Sequence, residues 1–195
     1  QLITYVAIGD SLTAGTGASS VSSSLPALLA EKISADKGMM VSVKNLGVPG
    51  AVSFELLTGQ VLDAVQYNPD IVTVFIGTND MHNFVPLDEF KINLLTAINA
   101  LKNTTQAKIY LINLPYLGAK DLVLSPYDLY FERELKKFNT IIAEVAQTTN
   151  VQLVDLYTVS DKPLRANPNF YSIDRFHPSD SGYMLWVNLI YDQFK

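Results

Sequence analysis

Four short segments hold residue types whose spacing could do chemistry: Gly9-Asp10-Ser11-Leu12, the turn from Asn45 to Gly50 that contains Gly47, Gly77-Thr78-Asn79-Asp80, and Asp174-Arg175-Phe176-His177-Pro178. A serine on a tight turn after a strand has room to attack and backbone N–H groups nearby, as a nucleophile requires. The same Ser11 could simply cap a following helix. Gly47 lets the backbone approach a ligand and presents an unobstructed N–H, although an ordinary glycine turn explains it better when taken alone. Asn79 could donate its side-chain amide into a crevice, or serve only in the turn. Asp174 lies three residues before His177. On one turn it could accept the imidazole Nδ1–H, leaving Nε2 free to take a proton from a serine hydroxyl. A lone histidine is otherwise a structural or surface residue.

Composition narrows these options. The 195 residues contain no cysteine and only two histidines, His82 and His177. Thiol nucleophiles, thiolate zinc sites and disulfides are excluded, and His is the natural acid–base group left near neutral pH. Neither a clustered carboxylate–metal site nor a phosphate-binding glycine loop is present, so phosphoryl transfer is disfavoured. Gly15-Thr16-Gly17 lacks the third glycine of a dinucleotide fingerprint, since position 20 is Ser. With 48% hydrophobic and 17% charged residues and a net charge of −5, the chain suits a packed core, and nucleic acid is not an expected partner. No apolar run reaches the ~18–20 residues of a membrane span, so no stable membrane insertion is expected.

These segments need a scaffold, and the periodicity supplies one. Strands are predicted at 2–8, 41–45, 70–76, 109–114 and 151–156, with helices at 25–37, 87–103, 129–148 and 179–194. Residues 54–65 read as a helix broken at Gly59, and 116–127 as a loop. Alternating strands and helices imply parallel βαβ units with helices on both faces. Right-handed crossovers favour a doubly wound five-stranded α/β sheet in the order 2-1-3-4-5, formed by one domain over residues 1–195. In that order the loops after strands 1, 2 and 3 meet at one crevice. Ser11, Gly47 and Asn79 each stand in one of them.

In order and placement the four segments resemble the GDSL lipase/esterase family, also called SGNH hydrolases after the Ser, Gly, Asn and His of its four blocks. Here these are Ser11, Gly47, Asn79 and His177, with Asp174 ahead of the histidine. The resemblance spans nearly the whole chain. It implies a three-layer, flavodoxin-like α/β/α fold and a Ser11–His177–Asp174 catalytic triad. It also implies an oxyanion hole from the Ser11 N–H, the Gly47 N–H and the Asn79 side chain, with no metal or organic cofactor. The expected activity is hydrolysis of carboxylic esters with short to medium acyl chains. Thioesters, lysophospholipids and acetylated carbohydrates are alternatives on the same site, and a non-catalytic binding module is the rival of another class.

The expected substrate wall comprises the loops at 48–58, 82–88 and 116–127, with His82, Tyr116 and Leu117 as pocket residues and Leu122, Val123, Leu124 and Tyr127 nearby. His82 reads more readily as a partly exposed loop residue than as a pocket residue, Asp10 as a local hydrogen-bonding anchor, and Arg175 as a surface ion-pair residue rather than an anchor for a carboxylate or phosphate. The expected partner is a small-molecule ester, and the chain is expected to be a monomer or weak oligomer. The first residue is Gln1 rather than Met. A removed signal peptide, and hence a secreted or extracytoplasmic protein, is favoured over a removed tag, with a cytoplasmic location as the alternative.

Overall fold

The centre of the sheet is formed by its most apolar segments. Strand β1 (Leu2–Gly9) and strand β3 (Ile71–Phe75) are almost wholly buried, as strands covered on both faces must be. They pair in parallel at the centre of a five-stranded sheet with β2 (Met40–Asn45), β4 (Lys108–Ile112) and β5 (Gln152–Val154), in the order β2-β1-β3-β4-β5. This computed structural model describes residues 2–119, 122, 124–160 and 167–194. Val123 lies outside them.

Register brings the strand ends together. Ala7 stands opposite Asn45 on β2, and Gly9 opposite Phe75 on β3. The chain therefore leaves β1, β2 and β3 at nearly one level, just before Ser11, Gly47 and Asn79. Helices α2 (Leu25–Lys37) and α8 (Asp180–Tyr191) pack together on one face. On the other lie α4 (Val61–Gln66), α6 (Leu87–Thr104) and α7 (Tyr127–Thr149). The α6 stripe Phe90, Leu94, Ala97, Ile98 and Leu101 is buried as its spacing predicts. Among the described residues no helix is long and apolar enough to cross a membrane.

One local reading is corrected, and one stretch without an assignment gains structure. The Gly/Ser-rich stretch after β1 contains a short helix, α1 (Ser11–Ala14), and a 3₁₀ turn at Val21–Ser23. Residues 54–65 are not broken at Gly59: α3 (Ser53–Glu55) runs through a π-helical turn (Leu56–Gln60) into α4. A π turn adds a residue and re-aims the side chains beyond it. Here it delivers the buried Gln60 side chain to β1, where its Oε1 accepts the Gly9 N–H (2.7 Å) and its Nε2 donates to the Gly9 carbonyl (2.9 Å). Gly9 has φ +155°, and a Cβ there would lie 2.1 Å from the Phe75 carbonyl oxygen, so only glycine fits. This bend takes the chain off the sheet ladder, and Gln60 replaces the ladder partner.

Gln60→Leu preserves volume but leaves the buried Gly9 N–H unpaired. Urea denaturation should show a loss of about 1–3 kcal/mol; a change below about 0.5 kcal/mol, ordinary for a surface substitution, would mean that the clamp is dispensable.

Candidate active site

At the end of β1, Asp10 rather than Ser11 caps α1, its Oδ1 accepting the Leu12 N–H at 3.0 Å. The Ser11 hydroxyl is thereby free of local duty. It lies 3.0 Å from His177 Nε2, although the two residues are 166 positions apart. His177 Nδ1 lies 2.7 Å from Asp174 Oδ2. Burial alone would raise the Asp174 pKa, but hydrogen bonds from the His177 ring, the Phe176 N–H, the Ser172 hydroxyl and the His177 N–H outweigh it and hold the carboxyl well below the usual range. An ionised carboxylate only accepts, so Nδ1 carries the proton and Nε2 presents a lone pair to the Ser11 hydroxyl. This array can remove a proton from Ser11 and return it to a leaving group.

The histidine turn is built at the foot of α8. An antiparallel bridge between Tyr171 and Pro178 closes it. Within it, the Ser172 N–H donates to the His177 carbonyl at 2.8 Å, and the Arg175 N–H to the Ser172 carbonyl at 2.9 Å. The Ala119 N–H donates to the Arg175 carbonyl (2.8 Å), joining the segment after β4 to this turn. Arg175 itself is exposed.

Gly47 and Asn79 occupy the neighbouring turns. A Cβ on Gly47 would lie 2.5 Å from the Ala14 nitrogen, so this turn rests directly on α1. The Asn45 side chain fixes the contact, accepting the Gly47 N–H (3.0 Å) and donating to the Thr13 carbonyl (2.9 Å). Asn79, in α5 (Thr78–His82), donates one amide hydrogen to the Ala51 carbonyl at 3.0 Å, which orients the side chain.

Beneath these turns lie two buried acids. Asp80 accepts the Ser53 N–H at 3.0 Å and the Ser53 hydroxyl at 2.5 Å, while Asn93 donates to the Ser53 hydroxyl oxygen at 3.1 Å. This network ties α5 to α3 and α6. Burial raises the Asp80 pKa against the hydrogen bonds from Ser53. Asp10 is pushed up to about 7, chiefly by burial, with the Leu12 N–H opposing and the Asp80 charge adding to the rise. Its Oδ2 is buried without a hydrogen-bond partner.

Sequence reasoning missed Gln60, Ser53, Asn93, Asn45 and Ser172. Only Asn93 carried a signal, as a polar residue three positions after Phe90 on the buried stripe of α6.

Of the expected wall residues, His82, Tyr116, Leu117 and Leu122 meet, whereas Leu124 and Tyr127 are exposed and do not line the cavity. His82, Tyr116, Leu117, Leu122, Phe131 and Phe176 line one cavity of about 70 Å³. The His82 ring packs against Phe131 and Phe176, with centroids 5.7 Å apart in both pairs, and burial lowers its pKa. Phe176 also meets the His177 ring edge-on at 5.0 Å, so it is the wall shared by cavity and histidine. The 48–58 loop is not part of this wall. Residues 48–51 and Glu55 line a separate open groove, while Ser53 is anchored to Asp80. A roomier cavity of about 530 Å³ opens at the opposite end of the sheet, between Leu2, Ile71, Lys108 and Phe194, away from Ser11. Among the described residues no cluster of His, Asp or Glu could hold a metal ion.

Comparison with known proteins points the same way. The sequence profile of the GDSL-like lipase/acylhydrolase family matches residues 7–185. An acetylxylan esterase from Geobacillus stearothermophilus is 23% identical over 156 residues, covering 74% of this chain and 68% of the relative. The crystal structure of that organism's acetylxylan esterase Axe2 superposes with a TM-score of 0.78 at 21% identity, over 98% of this chain and 93% of that one. The psychrotrophic esterase EstA from Pseudoalteromonas sp., in a structure inhibited by monoethylphosphonate, gives 0.76 at 21% identity, over 98% and 96%. These likenesses show a shared fold.

The buried acids make stability depend on pH. Asp10 is raised from 3.8 to about 7, so folding takes up a proton between those values and stability falls as pH rises through them. Asp80 acts in the same direction. The lowered His82 pKa acts the opposite way below its ordinary value, so the test is comparative: the melting temperature of Asp10→Asn relative to the parent should rise from about pH 5 to pH 8. An unchanged slope in the variant would contradict a titrating Asp10.

Proposed function

Because this chain belongs to the GDSL-like lipase/acylhydrolase family, we propose that it hydrolyses carboxylic esters through an acyl-enzyme on Ser11. The observation that carries this reading is the hydrogen-bonded series Ser11 Oγ, His177 and Asp174, at 3.0 and 2.7 Å. His177 Nε2 takes the Ser11 proton as Oγ attacks the ester carbonyl, and Asp174 stabilises the imidazolium that forms. The tetrahedral oxyanion is held by the Ser11 and Gly47 N–H groups and the Asn79 amide. Gly47 then gives up its bond to Asn45 Oδ1, because a charged oxygen is the stronger acceptor. Collapse expels the alcohol, which takes the proton from His177. Water, deprotonated by the same nitrogen, attacks the acyl-enzyme and releases the acid.

The acyl group lies in the cavity behind Phe176. An apolar cavity of about 150 Å³ takes a benzene ring, roughly 25 Å³ per carbon, so about 70 Å³ suits two or three carbons. Acetyl and propionyl esters fit, and burial disfavours a charged His82 in that apolar wall. A long acyl chain or lysophospholipid tail exceeds the volume. Acetylated carbohydrate is the second reading, favoured by the same cavity and by the acetylxylan esterase relative.

Ser11→Ala should lower p-nitrophenyl acetate turnover by at least about 10³-fold with an unchanged melting temperature. Retained turnover would end the proposal. Across p-nitrophenyl esters, kcat/KM should fall at least about tenfold from propionate to octanoate, and Phe131→Ala should shift the preference toward longer chains. A flat profile in both proteins would separate the cavity from acyl selection. Faster deacetylation of a xylo-oligosaccharide than of the aryl acetate would favour the carbohydrate reading.

A further inference from the structure

Asp174 presents a problem for the catalytic reading of Ser11 and His177, on which this inference rests. Its side chain is 43% exposed, whereas that of His177 is only 17% exposed. A carboxylate facing water can turn about its terminal bond or swing into solvent, and either movement takes Oδ2 away from His177 Nδ1. Something must hold it.

We propose that the Ser172 hydroxyl does so, as a positioning donor that fixes the plane of the Asp174 carboxylate and keeps one oxygen on His177 Nδ1. The two carboxylate oxygens are used differently. Among the described residues, Oδ2 receives the imidazole Nδ1–H, at 2.7 Å. Oδ1 receives the Ser172 hydroxyl (2.7 Å), the Phe176 N–H (2.8 Å) and the His177 N–H (2.9 Å). The two backbone donors belong to the arm of the turn that comes after Asp174, and Ser172 belongs to the arm before it. Donors from both arms give the carboxylate one favoured orientation, and each is charge-assisted and therefore strong.

Removing the hydroxyl need not unravel the turn. Ser172 is fixed through its backbone, by its N–H on the His177 carbonyl and its carbonyl on the Arg175 N–H, and the adjacent Tyr171 bridges Pro178. The side chain is thus separable from the scaffold, and a Ser-x-Asp-x-x-His spacing at 172, 174 and 177 carries the whole device.

The test is a double-mutant cycle on the full chain, with p-nitrophenyl acetate as substrate. Ser172→Ala should lower kcat about tenfold, in line with losing one charge-assisted hydrogen bond, and leave KM within about twofold. In an Asp174→Ala background the same substitution should cost less than about twofold, because the group it orients is gone. An equal loss in both backgrounds, a loss confined to KM, or no loss in the wild-type background would each overturn the proposal. A Ser11→Ala control separates the levels. If that variant remains active, the serine-hydrolase reading itself fails; if it is inactive while Ser172→Ala behaves like the parent, only the role of Ser172 fails.

Discussion

Parallel pairing of β1 with both β2 and β3 is the constraint on which the site depends. Because Ala7 faces Asn45 and Gly9 faces Phe75, three chain segments leave the sheet side by side. A one-residue slip would invert every side chain on the slipped strand and misplace its turn. The register is locked by burial of β1 and β3 on both faces, and locally by Gln60, which pairs with Gly9 where the ladder ends. The segments that bear Ser11, Gly47 and Asn79 are thus held by core packing, and the Asn45–Thr13 and Asn79–Ala51 hydrogen bonds tie them to one another. His177 alone arrives from elsewhere, on a turn set by the foot of α8.

Charge is distributed unevenly around this frame. Asp174, the acid that must stay ionised, is the exposed one, surrounded by donors that keep its pKa low. Asp10 and Asp80 are buried and have raised values. Asp10 caps the helix that begins with Ser11, and Asp80 anchors the helix that carries Asn79. Stability lost by burying them is set against fixed positions for the two turns that carry Ser11 and Asn79. Such concessions cluster at functional sites.

The fold and the candidate site were legible because each leaves a local trace. Apolar runs mark β1 and β3, and Ser11, Asn79 and His177 stand directly at strand or helix ends. Ser172 and Asn45 bond neighbours two positions away, which looks like ordinary turn chemistry; the rest of what escaped depends on tertiary partners. Gly59 looks like a helix breaker, yet the π turn around it aims Gln60 at a residue 51 positions away. Ser53 and Asn93 acquire their meaning only when Asp80 is packed between their helices. His82, Tyr116 and Leu117 could be suspected as pocket residues from their loops, but Phe131, from the next helix, completes the cavity with them.

Site-resolved labelling by a fluorophosphonate probes the Ser11 nucleophile itself. One equivalent should bind per chain, mapped by peptide mass spectrometry to Ser11, with loss of esterase activity in proportion to labelling. His177→Ala should slow the labelling by at least about 10³-fold. Stoichiometric loss of activity with the label on any other residue, or full esterase activity in a chain fully labelled at Ser11, would contradict a Ser11 acyl-enzyme.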